Sequence, residues 1–335
     1  DLGAFGMRVD ESAGGIGLGL HDAVLVMEDV GRTLALGPIA ETIVAARLLG
    51  QLNCEPALLA DIVAGSHIVT VAKRDVAQHP TQWLAGGRHA DVVIALHGES
   101  AKVVAIGDGQ RKWGDTLAGD GACWVEIDKG DVLAQVTGSA ARDAFVAALE
   151  EWRLLTAAAL SGLAREAVQL AAVYASERKA FGVAIGTFQA LSHPLADFIT
   201  DVDGGKLLVW KVIHELASGD AKAAAHIPLA HWWNAKTAST ACIHALRVFG
   251  GYGLTTEYDI HLFNLRAKSW GLVDGDPQHL LALAGQRMFS GLSYPVPDGG
   301  PLSIDFDLGD EARDLAREID DFFQATLTPE LKAHA

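Results

Sequence analysis

The sequence predicts a mainly α protein with a central β domain. Residues 1–64 show apolar side chains at helical spacing, 65–138 carry short β-branched runs broken by Gly and Asp, and 139–291 return to long helical patterns. The predicted order is therefore an N-terminal helical domain, a β domain and a C-terminal helical bundle. A linker at 292–303 and a further helix within 304–335 follow.

Three helices are predicted in the first part of the chain. Helical spacing extends over 22–36 after a glycine-rich turn, over 40–52 after a proline, and over 55–64 before a glycine. The chain opens at Asp1, without Met and close to the glycine-rich turn. We therefore expect this helical domain to be incomplete at its start.

The second part is predicted to form strands and the third to form a bundle. The runs IVTVA, DVVIALHG, AKVVAIGDG and CWVEIDKGDVLAQV are rich in β-branched residues, which is typical of short strands. From Ser139 to about residue 176 the chain has no proline and is rich in Ala and Leu, which predicts one long helix. Such a helix needs neighbours, and further helical patterns lie at 187–217, 221–249 and 277–290.

Composition excludes several classes of function. The 335 residues include 26 basic and 42 acidic side chains, and no basic run is dense enough to follow a phosphate backbone. We therefore predict no nucleic-acid partner. Cys54, Cys123 and Cys242 are far apart and lack the spacing of zinc ligands, so no metal site is predicted. The apolar runs are too short to span a bilayer, and a cytoplasmic protein is expected.

The last part of the chain has two segments of different composition. Three prolines and two glycines lie within 292–303, which is typical of a linker. Beyond them Asp307 stands at a helix N-cap position. An apolar stripe follows, formed by Leu308, Ala312, Leu315, Ile319 and Phe322. One interpretation of this tail is a docked terminal helix.

Two local motifs resemble those of the acyl-CoA dehydrogenases, which are flavoproteins. Residues 174–189 read YASERKAFGVAIGTFQ, followed by HPLAD, and 247–257 read RVFGGYGLTTE. The opening ESAGGIGLGLHD and MEDVGR is similar to the first domain of that family. The resemblance covers about residues 3 to 290. It implies the acyl-CoA dehydrogenase fold and the α,β-dehydrogenation of an acyl-CoA thioester to the enoyl-CoA, with an electron acceptor of unknown identity.

The resemblance also implies a site for flavin adenine dinucleotide (FAD) that reaches a neighbouring subunit. Arg178 matches the arginine that pairs with the diphosphate, Phe181 a residue packed near the cofactor, and Gln189 one near the adenine end. Gly250 and Gly251 match a turn whose N–H groups approach phosphate. Arg247 stands where the family usually has Gln.

The chemistry needs a carboxylate to remove the α-proton. By resemblance this base falls on Asp274, one methylene shorter than the usual Glu, and the alternative position for the base holds Trp152. Lys73-Arg74-Asp75-Val76 replaces the stretch that normally contacts the flavin ring. Two hypotheses follow: an active dehydrogenase, or a catalytically impaired half that supports the interface and cofactor of a partner module. A flavin oxidase would share the fold and differ in oxygen access.

The turn DGDPQH resembles that of a bacterial subgroup acting on bulky thioesters such as those of sterol side chains. Several members of that subgroup work as unlike pairs, and some are fused in one polypeptide. The tail over 304–331 resembles the first helix of a fresh module of this family. The second interpretation of the tail is therefore the start of a partner module.

Overall fold

The computed structural model describes residues 3–112, 114, 116, 118–302 and 309–328. The chain divides into two compact units, Asp1–Pro301 and Leu302–Ala335. In the first unit helices precede and follow a small β domain, so the predicted fold class is confirmed. Within the described residues, none of the helices is both long and apolar enough to cross a bilayer.

Three helices open the first unit, after two short 3₁₀ turns. They are α1 (Leu20–Arg32), α2 (Ile39–Gln51) and α3 (Pro56–Val63). The carboxylate of Asp22 accepts a hydrogen bond from Gly19 N at 3.2 Å, which satisfies one free amide at the start of α1. Pro56 occupies the first position of α3, where no amide hydrogen is needed.

Two sheets form the β domain. The strands are β1 (Val69–Val71), β2 (Thr81–Leu84), β3 (Val92–His97), β4 (Ser100–Ala105), β5 (Arg111–Lys112), β6 (Cys123–Glu126) and β7 (Asp131–Thr137). One sheet has the order β1-β3-β4-β7 and the other β2-β6-β5. Only the β1–β3 pair is parallel among these strands. Val93, Val104 and Val125 belong to the apolar core of this domain.

Five helices and a small hairpin form the remainder of the bundle. The helices are α4 (Ser139–Glu177), α5 (Gln189–Ser218), α6 (Ala223–Val248), α7 (Ile260–Leu272) and α8 (Gln278–Phe289), and the hairpin is β8 (Lys179–Ala180) with β9 (Val183–Ala184). The sequence did not predict α7, the short strands β2 and β5, or the β8–β9 hairpin. Helix α1 ends at Arg32, four residues before its predicted end, and the other predicted helices of this unit begin and end within about two residues of the predicted bounds.

Helices α1 and α4 approach each other so closely that their backbones touch. A Cβ atom added to Gly31 would lie 1.8 Å from the carbonyl oxygen of Ala159. At Gly162 it would lie 1.9 Å from the carbonyl oxygen of Glu28. Only glycine is compatible with these two positions, and the close packing positions α1 along the middle of α4.

A buried carboxylate on α4 joins distant parts of the first unit. Arg8 Nε donates to Glu151 Oε1 at 2.9 Å, and Arg47 Nη1 donates to Glu151 Oε2. The Glu151 side chain is 1% exposed. We call Arg8, Arg47 and Glu151 the Glu151 hub. It ties the N-terminal segment and α2 to the long helix.

The predicted linker is bound to the first unit along its described part. Residues 292–301, here called the strap, present the carbonyl oxygen of Asp298 to Arg8 Nη2 at 2.6 Å and to Arg47 Nη2 at 3.2 Å. The carbonyl oxygen of Gly299 accepts from Leu20 N at 2.7 Å. A segment with the composition of a linker therefore has main-chain partners here at Asp298 and Gly299, and its role as a linker stays a prediction.

The second unit contains one described helix, α9 (Asp310–Thr326). Its large apolar side chains are about half exposed: Leu315, Ile319, Phe322 and Phe323. The predicted N-cap Asp307 and the start of the stripe at Leu308 lie outside the described residues. The helix itself was predicted, while its origin as the start of a second module stays a prediction.

Candidate functional site

An open groove lies at one end of the bundle, where α4, the β8–β9 hairpin and the end of α6 meet. Its volume is about 460 Å³, and its lining includes Arg178, Gly250, Gly251, Tyr174 and Phe249. The motifs ERKAFG and RVFGGYG, about 70 residues apart in the sequence, thus contribute to one surface. Three of the six residues predicted to bind the cofactor line it.

The floor of the groove is aromatic and its rim is cationic. The rings of Tyr174 and Phe249 stack at 4.2 Å between centroids, and Tyr258 meets Tyr174 edge-on at 5.5 Å. The exposed guanidinium of Arg178 lies 5.5 Å from the ring centroid of Tyr252. Among the described residues no carboxylate pairs with Arg178. The groove therefore offers a cation that is available to an anion.

The glycine turn leaves the backbone open to the groove. Gly250 has φ +59°, a conformation that side chains rarely adopt. A Cβ atom built at Gly250 or Gly251 would meet no atom within 4 Å, so nothing screens this turn. Backbone that can be approached this closely beside a free guanidinium is suited to phosphate oxygens.

The other three predicted residues lie outside the groove in this chain. Phe181 is 96% exposed at the tip of the hairpin, with φ +54°, and its ring contacts that of Phe188. Gln189 is the first residue of α5 and Arg247 lies in the last turn of α6, both exposed. Their assignment to the cofactor stays a prediction.

Asp274, the predicted base, is held by an arginine. Its Oδ2 accepts from both Nε and Nη2 of Arg153, each at 3.1 Å, and His279 Nε2 lies 3.6 Å away. Burial alone would raise the pKa of this carboxyl. His279 and Arg153 outweigh burial, so the net pKa of Asp274 lies well below its ordinary value.

The Asp274 pair continues into a longer buried network. Arg153 Nη1 also donates to Glu150 Oε1. Glu150 in turn accepts from Nη1 and Nη2 of Arg287 on α8, both at 2.8 Å. Glu150 and Glu151 precede Trp152 in the sequence, and the structure directs their carboxylates to separate arginine clusters.

A second buried cluster occupies the interior between the helices and the β domain. Lys73 Nζ lies 3.2 Å from Glu41 Oε1 and 3.7 Å from the ring centroid of Trp152. Trp152 Nε1 donates to the same Glu41 oxygen at 2.7 Å. The Lys73 and Glu41 side chains are 5% and 6% exposed. Burial lowers the pKa of Lys73, although Glu41 opposes this shift.

Sequence reasoning missed Glu41. A signal was present, because this carboxylate stands in an otherwise apolar stretch, IAETIVAARLLG, in which its neighbours Ala40 and Ile43 are core residues. A charged side chain on the buried side of a helix requires a partner. The partner could not be identified from the sequence, since Lys73 lies 32 positions away in another domain.

Comparisons with known proteins agree with this architecture. The family profile described as acyl-CoA dehydrogenase, C-terminal domain, matches residues 142–289. Acyl-CoA dehydrogenase IpdE2 of Mycolicibacterium smegmatis is 28% identical over 292 residues, covering 86% of this chain and 85% of that protein.

Two solved structures share the fold. A variant of the Tcur3481-Tcur3483 steroid ACAD has a TM-score of 0.75 and 26% identity, over 86% of each chain. The ChsE4-ChsE5 complex from Mycobacterium tuberculosis has a TM-score of 0.74 and 24% identity, over 87% of this chain and 86% of that chain. The comparisons confirm the resemblance to the acyl-CoA dehydrogenases, oxidoreductases acting on CH–CH groups, that the sequence motifs predicted, and residues 142–289 match the C-terminal domain of that family.

Proposed function

We propose that this chain is a supporting module of an acyl-CoA dehydrogenase-type flavoprotein. It provides a phosphate-binding groove for FAD at an interface with a partner module, and proton abstraction from the acyl-CoA belongs to that partner. The observation that carries the proposal is the groove of Arg178, Gly250 and Gly251, where a free guanidinium faces open glycine backbone. The substrate class that the sequence resemblance suggests is a bulky thioester such as that of a sterol side chain, and one solved structure of similar fold is a steroid ACAD.

The groove fits the diphosphate end of FAD. Arg178 presents a planar, permanently charged fork, which is the side chain best suited to pair with phosphate oxygens in two-point contacts. The turn at Gly250 admits an anion to the backbone because no side chain intervenes. The groove is open to one side, so a second surface would complete it. This agrees with a cofactor shared between modules.

Asp274 fits the role of a general base poorly. A base is most efficient when its pKa lies near the working pH. The pKa of Asp274 is instead lowered, which moves it further from neutral pH than that of an ordinary aspartate. Its Oδ2 is also occupied by Arg153. Before it could remove a proton, the carboxylate would have to leave a buried ion pair. FAD, when bound, supplies the hydride acceptor, and this chain's residues supply binding and orientation.

A second candidate function is dehydrogenation by this module itself. The observation in its favour is that Asp274, by the sequence resemblance, falls at the position of the family's base and lies in the turn between α7 and α8. Acyl-CoA oxidation measured with an artificial electron acceptor separates the two functions. Turnover by the chain alone that disappears in Asp274→Asn would establish this second function.

The proposed function is tested by FAD retention in the full assembly. Arg178→Ala removes a charge-assisted pair worth about 1.5–3 kcal/mol, so FAD should bind roughly 10- to 150-fold more weakly. Arg142→Ala is the matched control. Arg142 is an exposed arginine in the first turn of α4, at the opposite end of that helix from Arg178; its side chain is 49% exposed and pairs with Glu99. Equal FAD affinity in both variants would contradict the proposal.

A further inference from the structure

The interior cluster of Lys73, Glu41 and Trp152 lies where three parts of the fold meet. Glu41 is on α2, Trp152 on α4, and Lys73 lies two residues beyond the end of β1. By sequence, Lys73 opens the stretch that replaces the family's contacts to the flavin ring, and Trp152 stands at the alternative base position. The structure brings these two positions into direct contact, with 3.7 Å between the ammonium and the indole centroid.

The space beside the cluster is too small for a flavin ring. The cavity measures about 50 Å³, and its wall includes Glu41, Trp152, Trp270, Met27 and Ile39. Pockets that hold small molecules or cofactors have volumes of roughly 300–1,000 Å³. The residues at the ring end of this module therefore do not fit FAD, in contrast to those at the groove.

The cluster is complete without a ligand. Glu41 Oε1 accepts from Lys73 Nζ and from Trp152 Nε1, and the ammonium also faces the indole ring. Isolated buried charges are very costly, whereas a paired and hydrogen-bonded charge is tolerated in a core. An indole face adds attraction for a desolvated cation. Each of the three side chains therefore has a partner within the cluster itself.

We propose that Lys73, Glu41 and Trp152 are a built-in plug, a permanent occupant of this module's own flavin-ring position. The chain therefore folds and keeps its core closed without a flavin. This inference deepens the proposed function and rests on it only for the role of the groove, since the plug is a property of the core alone.

The first test asks whether the plug is closed in the unaltered full chain. Lysines are acetylated in the folded protein and quantified by mass spectrometry, with Lys222, 73% exposed, as the internal reference. Lys73 should label at least 100-fold more slowly than Lys222. Lumiflavin, a flavin ring without phosphates, should not bind the same protein in equilibrium dialysis. Labelling of Lys73 at the rate of Lys222, or lumiflavin binding by the unaltered chain, would overturn the proposal.

The second test asks whether the three side chains act as one unit. Lys73→Met leaves the buried Glu41 carboxylate without its counter-charge, and Glu41→Gln leaves the buried ammonium without its counter-charge. Each should lower Tm by several degrees, and the double variant should lose clearly less than the sum. Lys206→Met is the matched control, because Lys206 and Glu28 form an ion pair that is 28% and 18% exposed. Strictly additive losses no larger than that of the control would refute the plug.

The third test opens the space. Lys73→Ala/Trp152→Ala, verified as folded by circular dichroism, should bind lumiflavin where the unaltered chain does not. A folded variant that still excludes lumiflavin would show that other residues close the core, and it would overturn the proposal. The outcomes for the groove are separate. If Arg178→Ala has no effect on FAD retention while the plug tests succeed, the proposed function fails and the plug stands. If Arg178→Ala weakens FAD retention while the plug tests fail, only the plug is refuted.

Discussion

Replacement of Glu151 by glutamine should destabilise the Asp1–Pro301 unit more than any exposed charge substitution. The Glu151 carboxylate is 1% exposed and accepts from Arg8 and Arg47, whose side chains are 2% and 11% exposed. Glutamine has nearly the same size, so packing is retained. It presents an amide N–H₂ group to one of two arginine donors, and both guanidinium charges lose their counter-charge.

The magnitude follows from the burial of the pair. Removing one partner of a buried ion pair costs about 3–5 kcal/mol, because the remaining charge is left uncompensated. The entropy of unfolding near the midpoint is about 2.1 cal/mol/K per residue. For the Asp1–Pro301 unit the expected fall in Tm is therefore roughly 5–8 °C.

Scanning calorimetry and chemical denaturation of the full chain measure this loss. Glu99→Gln is the matched control, since Glu99 pairs with Arg142 while 60% exposed. An exposed pair of this kind contributes about 0–1 kcal/mol. If Glu151→Gln melts at the same temperature as Glu99→Gln, the Glu151 hub does not hold the unit together and the reasoning from burial is refuted.

Two further predictions concern the core. Gly162→Ala should cost about 3 kcal/mol or more, because its Cβ would lie 1.9 Å from the Glu28 carbonyl oxygen. Gly204→Ala on α5, whose Cβ meets nothing within 4 Å, should instead stabilise by up to about 1 kcal/mol; similar denaturation midpoints for the two would refute this. His231 is 1% exposed, and burial lowers the pKa of its imidazole to about 4. The nearby cations Arg153, His279 and Lys73 act in the same direction, and the charge of Asp274 opposes them. The pKa of His231 in the folded state is below the unfolded value of about 6.5. Its contribution to the free energy of unfolding is therefore complete above pH 6.5 and is about 2 kcal/mol smaller at pH 5. His231→Phe should remove that part of the pH dependence in denaturation curves, and an unchanged dependence would contradict the prediction.

Periodicity predicted the long elements of the fold but not the short or polar ones. The helix α4 has many apolar side chains and no proline, so its existence and length were readable. The helix α7 was missed because its buried side includes Asn264 and Arg266, which do not produce an apolar stripe. The strand β2 has only four residues, one of them the buried Gln82.

The candidate site also has parts that short sequence patterns predict and parts that they do not. Arg178 and the glycine turn were predicted because short motifs carry them, and the structure brings them to one groove. The plug and the hub depend on contacts between residues 32 to 143 positions apart. Such pairs are set by the packing of whole domains. One sequence indicates that Glu41 or Glu151 needs a counter-charge, but not which basic residue provides it.

The strap is recognised through its main chain rather than its side chains. Its carbonyl oxygens at Asp298 and Gly299 accept from Arg8, Arg47 and Leu20 N. Exposed segments rich in Pro and Gly are common sites of proteolytic nicking, because a protease must draw extended chain into its cleft. Here that movement would first break the carbonyl contacts to the arginines that neutralise Glu151. Cleavage within the strap would therefore require Asp298 and Gly299 to detach from the arginines and from α1, and its rate would follow the population of that opened state.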